Sequence, residues 1–181
     1  IAGCAALVLT GYGLQDAISD IVTNQFQQVF RYDLLAGYSA EDEAEEQALF
    51  AQLESDSNIK EWMPQYRATI TAVGAKHSYE VNLTVSEDYT RLTDFISLQE
   101  RVSRKQLTPE KEGVIIKEKL GTMLGLSAGD TLTLQDGDSR SYEFLITGVS
   151  ENYASHFVYL SAEYYEEVFG KAPSYNSVII D

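Results

Sequence analysis

The chain has one cysteine, Cys4, and two histidines, His77 and His156, among its 181 residues. A single cysteine excludes an internal disulfide, which fits a reducing cytoplasm and equally an outer-face domain without cystines. Cys4 lies in an apolar run, where it reads as a small buried hydrophobe rather than a reactive thiol. The two histidines are too far apart in sequence to form a metal pair at helical spacing. Basic residues are also scarce, 13 against 28 acidic ones, for a net charge of −15. A surface so negative repels phosphate backbones and anionic headgroups, so no nucleic acid is expected as a partner. There is no glycine-flanked serine, no Gly-Lys-Ser/Thr phosphate loop, and Gly11-x-Gly13 lacks the strand and third glycine of a dinucleotide loop. A Ser-His-Asp site assembled only in space stays open. Otherwise no catalytic residue, cofactor or metal is expected.

What is present starts with Ile1-Ala2-Gly3-Cys4-Ala5-Ala6-Leu7-Val8-Leu9, and no charge follows until Asp16. Nine residues fall short of the roughly 20 that a spanning helix needs, so the run reads either as a core helix or as the end of a membrane helix. Leu14, Ile18, Ile21, Val22, Phe26 and Val29 then recur at steps of three and four, the stripe of a helix continuing through about Val29. Gly11 and Gly13 weaken that helix locally. The expectation is a fragment of a larger protein, in which residues 1–30 are the end of a transmembrane helix and a stalk. Without lipid, the first turns should fray or lie against another chain.

The remainder alternates strands and helices. A hydrophobic share of 44% and an aromatic share of 11% belong to a folded domain. Arg31 to Tyr38 reads as a first strand and Ala40 to Leu53 as a helix, with Ala44, Ala48, Leu49, Ala51 and Leu53 on its inner side. Its first turns carry Glu41, Asp42, Glu43, Glu45 and Glu46, where negative charge suits the helix dipole. Calcium loops alternate ligands with a turn glycine, and none is here. Ile59 to Val85 has the β-branched alternation of a hairpin turning at Gly74-Ala75-Lys76-His77, which leaves His77 an exposed turn residue. Tyr89 to Leu98 reads as a short helix or irregular crossing, and Arg101 to Pro109 as a polar loop. Six of the thirteen basic residues fall between Arg101 and Lys119, either solvated or docked on acidic surface. Val114 to Ile116 is a short buried strand, Glu118 to Leu124 a helix stopped by Gly125, and Thr131 to Leu134 a strand. Asp136-Gly137-Asp138-Ser139 is a hairpin turn leading into Tyr142 to Val149. Phe157 to Leu160, the helix Ala162 to Phe169, and Ser177 to Ile180 complete the order.

Twelve tyrosines stand against one tryptophan, and Tyr153, Tyr159, Tyr164, Tyr165 and Tyr175 crowd the last thirty residues. Tyrosine buries area at low entropic cost and keeps a polar tip. These five either cover the faces of a small sheet or form a partner contact.

The tract Gly113-Val114-Ile115-Ile116-Lys117-Glu118-Lys119-Leu120, followed by Leu124-Gly125-Leu126-Ser127-Ala128-Gly129-Asp130-Thr131-Leu132, resembles the extracytoplasmic domain of FtsX-like and MacB-like permeases of ABC transporters. Ile146 to Tyr153 with His156 to Ser161 is similar to the strand pair that follows in that family. Ile1 to Asp16 resembles the end of its first membrane helix in large Gram-positive permeases. The resemblance implies an α+β fold: an N-terminal stalk helix (1–30), a strand-helix-strand, porter-like part with an antiparallel sheet (31–112), and a small, mostly β subdomain with a return strand (113–181). It further implies a cell-membrane protein with this domain on the extracytoplasmic side. An ATP-binding subunit acts across the membrane, and an envelope protein, peptide or lipid serves as outer partner or substrate. A dimer is allowed. In that family the domain is non-catalytic, and Gly113 and Gly129-Asp130 carry over as turn positions that determine the fold. Two other readings are a stand-alone adhesive or binding domain, and a hydrolase using carboxylates among Glu41 to Glu46 or Asp136 to Asp138.

Overall fold

The structure, a computed structural model, describes residues 10, 12, 14, 15, 29–39, 43–151 and 155–181. The expected stalk stripe and the first turns therefore lie largely outside the described residues. Thr10, Tyr12, Leu14 and Gln15 are helical and exposed. No helix among the described residues is long and apolar enough to cross a membrane.

The elements run β1 (Leu34–Gly37), α1 (Glu43–Ser55), β2 (Trp62–Val73), β3 (Tyr79–Ser86), a 3-10 turn (Tyr89–Arg91), α2 (Leu92–Phe95), β4 (Val114–Lys117), α3 (Glu118–Leu124), β5 (Thr131–Gln135), β6 (Ser141–Ser150), β7 (Phe157–Ser161), α4 (Ala162–Phe169) and β8 (Ser177–Ile180). The bounds of α3, α4 and β8 coincide with the sequence expectation. The reason is local: Gly125 and Gly170 take left-handed conformations, φ 71° each, and Ser161 Oγ accepts the Tyr164 N–H at the start of α4. The first strand is shorter than Arg31 to Tyr38, because only Leu34–Gly37 finds a partner, in β8.

The strands join differently from the expected antiparallel sheet with a separate β subdomain. They form one eight-stranded sheet in the order β1-β8-β2-β3-β7-β4-β6-β5, and β5 pairs again with β2. That last pairing, Thr71↔Gln135 to Val73↔Thr133, closes six strands into a barrel. Two of its pairings, β3 with β7 and β4 with β6, are parallel. Residues 82–86 thus pair with residues 157–161, across the boundary expected near 112. Alternation in a sequence shows which residues share a face but not which strand lies beside which. β8 and β1 extend from the barrel along the first half of β2 as a flange.

Period-two alternation places Ile70 and Ala72 of β2, Val81, Leu83 and Val85 of β3, Leu132 and Leu134 of β5, Phe144 and Ile146 of β6, and Val158 and Leu160 of β7 inside the barrel. Leu120 from α3 and Tyr165 from α4 join the same core. Each Val, Leu, Ile or Phe among them, fully buried, contributes about 1.5–3 kcal/mol relative to exposure. A second cluster covers the outer face, where Val29, Phe30, Leu92 and Phe95 meet Ile115, Phe157 and Tyr159. Val29 carbonyl accepts from Ser97 N–H at 2.7 Å, and Arg31 N–H donates to Phe95 carbonyl at 2.8 Å, so the chain enters the domain fixed to α2. A third, smaller cluster holds α1 on the flange through Leu53, Val178 and Ile180. There Leu49, Phe50 and Leu53 turn inward, while Ala44, Ala48 and Ala51 are exposed. The larger side chains set the face of α1, since alanine has little surface to bury.

Two glycines are required, Gly113 by close approach and backbone sign and Gly129 by backbone sign alone. Gly113 has φ 98°, and a Cβ there would strike the Thr147 side chain and the Leu145 carbonyl. Gly129, at φ 95°, donates its N–H to the Ile146 carbonyl at 2.8 Å, while the Asp130 carboxylate accepts Ser127 N–H at 2.8 Å.

Candidate functional site

Two of the concave regions formed by the described residues bring acidic and basic side chains together. The larger is an open groove of about 830 Å³ between residues 100–107, α3 and the end of β6. Its outer wall is a small arm. Leu107 N–H donates to Leu98 carbonyl at 2.8 Å, Gln99 bridges Gln106, and Glu100 N–H donates to Lys105 carbonyl at 2.9 Å. The tip is Arg101-Val102-Ser103-Arg104, with Arg104 at φ 56° and Val102 92% exposed. Glu151 ties this arm to the barrel. Although only 5% exposed, its carboxylate accepts from Arg104 Nη1 at 2.7 Å and from Gln99 Nε2 at 3.4 Å, and its N–H donates to Gln99 carbonyl at 2.8 Å. Arg101 also reaches Glu118 at 3.5 Å, across the mouth of the groove. With Lys111, whose Nζ is 3.5 Å from Glu163, three of the six basic residues between 101 and 119 are therefore docked on the protein's own acidic groups. Gly121, Gly125 and Gly148 also line the groove, Gly125 exposed and the other two buried.

The smaller region, about 340 Å³, sits at the barrel mouth. There β5 turns away at Asp136 while β2 runs on toward Tyr66. Tyr66, Tyr142, Tyr165 and Phe169 wall it, and the β5–β6 turn with Asp136, Asp138 and Arg140 forms its rim. Asp136 Oδ1 accepts the N–H groups of Asp138 and Arg140, both at 2.9 Å, and Oδ2 accepts the Tyr142 hydroxyl at 3.1 Å. Those bonds, the Arg140 N–H first, hold its carboxyl below the usual aspartate range. Asp136 to Asp138 is thus the hairpin turn the sequence indicates, with one carboxylate locked into the turn itself.

The five tyrosines of the sequence analysis do not share one setting. Tyr165 is 3% exposed and lies in the barrel-mouth wall. Tyr159 is also 3% exposed and stacks on Phe157 on the outer face, with ring centroids 5.6 Å apart. Tyr164 is half-buried, its hydroxyl accepting Leu145 N–H at 3.2 Å. Tyr175 is half-buried too, and burial pushes its hydroxyl above the ordinary tyrosine range. Tyr153 lies outside the described residues. His77 is exposed in the β2–β3 turn, as expected. His156 rests against Tyr79, and its Nδ1 is buried with no hydrogen-bond partner among the described residues. Burial, then Lys117 and Lys119, lower its pKa. Lys117 is 6% exposed and donates from Nζ to the Ser155 carbonyl at 2.7 Å, its pKa lowered mainly by desolvation. No group of three or more His, Cys, Asp or Glu residues among those described could hold a metal ion.

Sequence reasoning missed Tyr66, Tyr142 and Phe169 as pocket walls and Glu151 as the anchor of the arm. Both depend on strand neighbours far apart in the chain. Only the basic run from Arg101 carried a signal, through its excess charge in an acidic protein.

The mixed fold is similar to the crystal structure of the extracellular domain of the noncanonical ABC-type transporter YknZ from Gram-positive bacteria, with a TM-score of 0.52, 15% identity and 81% of each chain covered. It is also similar to the periplasmic region of MacB from Actinobacillus actinomycetemcomitans, with a TM-score of 0.48, 13% identity, and 81% of this chain and 72% of that one covered. No curated protein matches the chain. The model of the MacB-like periplasmic core domain matches residues 1–180, so the chain belongs to that family and is an extracytoplasmic domain of a MacB-like ABC transporter permease.

Proposed function

We propose that this domain is the non-catalytic outer part of a membrane-anchored permease, and that it passes motion driven by a cytoplasmic ATP-binding subunit to work done outside the membrane. The family match over residues 1–180 carries the reading. In support, the chain enters the folded part at Val29 to Arg31, where backbone hydrogen bonds to Ser97 and Phe95 fix it to α2, so a displacement of the preceding segment is transmitted to the outer face of the barrel. The preceding residues serve as a stalk continuous with a membrane helix. An envelope protein, peptide or lipid is the outer partner, met by the half-buried Tyr164 and Tyr175, with Tyr153, Tyr159 and Tyr165 as the further candidates for that contact. Catalysis takes no part in it.

The test uses the full permease with its ATP-binding subunit in proteoliposomes. Uncoupling the entry segment by inserting flexible glycines after Phe30 should leave ATP hydrolysis intact and abolish the nucleotide-dependent change in distance between spin labels on the arm and on the vesicle surface. A label distance that follows nucleotide state equally well with and without the insertion overturns the coupling.

A further inference from the structure

The barrel-mouth pocket has a chemistry of its own. Its rings touch in series: Tyr142 and Phe169 centroids are 4.3 Å apart, Phe169 and Tyr165 4.4 Å, and Tyr165 and Tyr66 5.3 Å. The 340 Å³ volume falls within the roughly 300–1,000 Å³ of small-molecule sites, and barrel mouths are a common place for them. Asp136 is fixed at the rim by two backbone N–H groups and the Tyr142 hydroxyl, which also sets the orientation of the Tyr142 ring.

We propose that this pocket binds an organic cation, a quaternary-ammonium or guanidinium head, against its half-buried rings, Tyr142 foremost, with Asp136 as its counter-charge. Aromatic faces carry negative potential and attract a desolvated cation. A net charge of −15 raises the local concentration of cations. An anion entering the same space would meet the half-buried rings and the Asp136 carboxylate. Two rim cations act the other way, and they sharpen the test. Arg140 is turned toward Asp138, 3.9 Å away, whereas Lys171 lines the pocket and competes with an incoming cation. The site stands independently of the transporter reading, because it needs only the folded barrel.

The experiment titrates the 181-residue chain with choline and, separately, with its uncharged carbon analogue dimethylbutanol, following ring signals by NMR. Choline should shift the signals of Tyr66, Tyr142, Tyr165 and Phe169, and the analogue should bind roughly tenfold more weakly, the ratio that a partly desolvated cation–π contact produces. Asp136→Asn should weaken choline binding by about three- to tenfold. Lys171→Ala, at an exposed position that leaves the fold alone, should strengthen it about two- to threefold. Equal affinity for choline and its analogue, no ring shifts up to tens of millimolar choline, or weaker binding in Lys171→Ala each overturn the proposal.

Discussion

The closed barrel and the flange of β8, β1 and α1 are built from similar residues, and they differ in how many of their edges and faces are covered. In the barrel each of the six strands has a neighbour on both sides, and the interior rows of β2 to β7 are fully enclosed. In the flange β1 has one strand neighbour, Leu34 is 54% and Leu35 38% exposed, and α1 buries Leu53 alone. Closure removes an edge without adding a residue. The comparison teaches that burial here follows topology more than hydrophobicity, since Leu34 and Leu132 are the same residue with opposite fates.

Mutations test the contrast directly. The largest effect is expected from Leu134→Ala, a fully buried position where β5 closes onto β2. It should cost about 3 kcal/mol in denaturant unfolding and lower amide protection in β2 and β6 together. A cost under about 1 kcal/mol would remove the barrel's claim to be the stable unit. Leu53→Ala, at 6% exposure, should cost about 2 kcal/mol, with exchange confined to α1, β1 and β8. Protection lost equally in β3 and β7 would mean the flange and barrel unfold as one. Glu151→Gln tests the arm, which belongs to neither region. Its carboxylate anchors an Arg104 side chain that is 60% exposed, so the expected cost is about 1 kcal/mol, accompanied by faster exchange at Glu100 and Leu107. Unchanged exchange in the arm would show that its backbone pairing suffices.

The smallest effect concerns pH. The His156 pKa is lowered below its ordinary 6.5, so above that pH the ring is neutral in both folded and unfolded chains and contributes nothing. As pH falls through 6.5 the unfolded chain takes up the proton first, and stability drops until the folded-state pKa is passed. His156→Gln should remove that part of the slope while leaving stability above pH 7 nearly unchanged. Parallel stability curves for both proteins below pH 6.5 would discount the buried Nδ1 as its source.

Legibility in the sequence follows the range of the cause. The segment from Val114 to Leu134 and the helix Ala162 to Phe169 were readable because turn glycines, a serine cap and short apolar runs act within a few residues. The α1 face was legible in part: Leu49 and Leu53 turn inward as expected, but the three alanines face out and Phe50, with more surface to hide, takes their place. The pairings of β2 with β5 and of β3 with β7 join residues sixty or more apart, and nothing in either strand specifies the partner. The barrel-mouth pocket inherits that opacity. Asp136 was visible as a turn residue, but Tyr66 comes to it only through the closure.

β2 is the one strand common to both regions. Its first residues, Trp62 to Gln65, pair with β8, and its last, Thr71 to Val73, form the three-residue seam with β5. Twelve extended residues span about 40 Å with no loop between the two ends. In mechanical terms β2 is a tie rod: tension applied at the flange reaches the three-residue seam directly. A pull on the flange is thus felt beside the mouth of the aromatic pocket, where the seam lies.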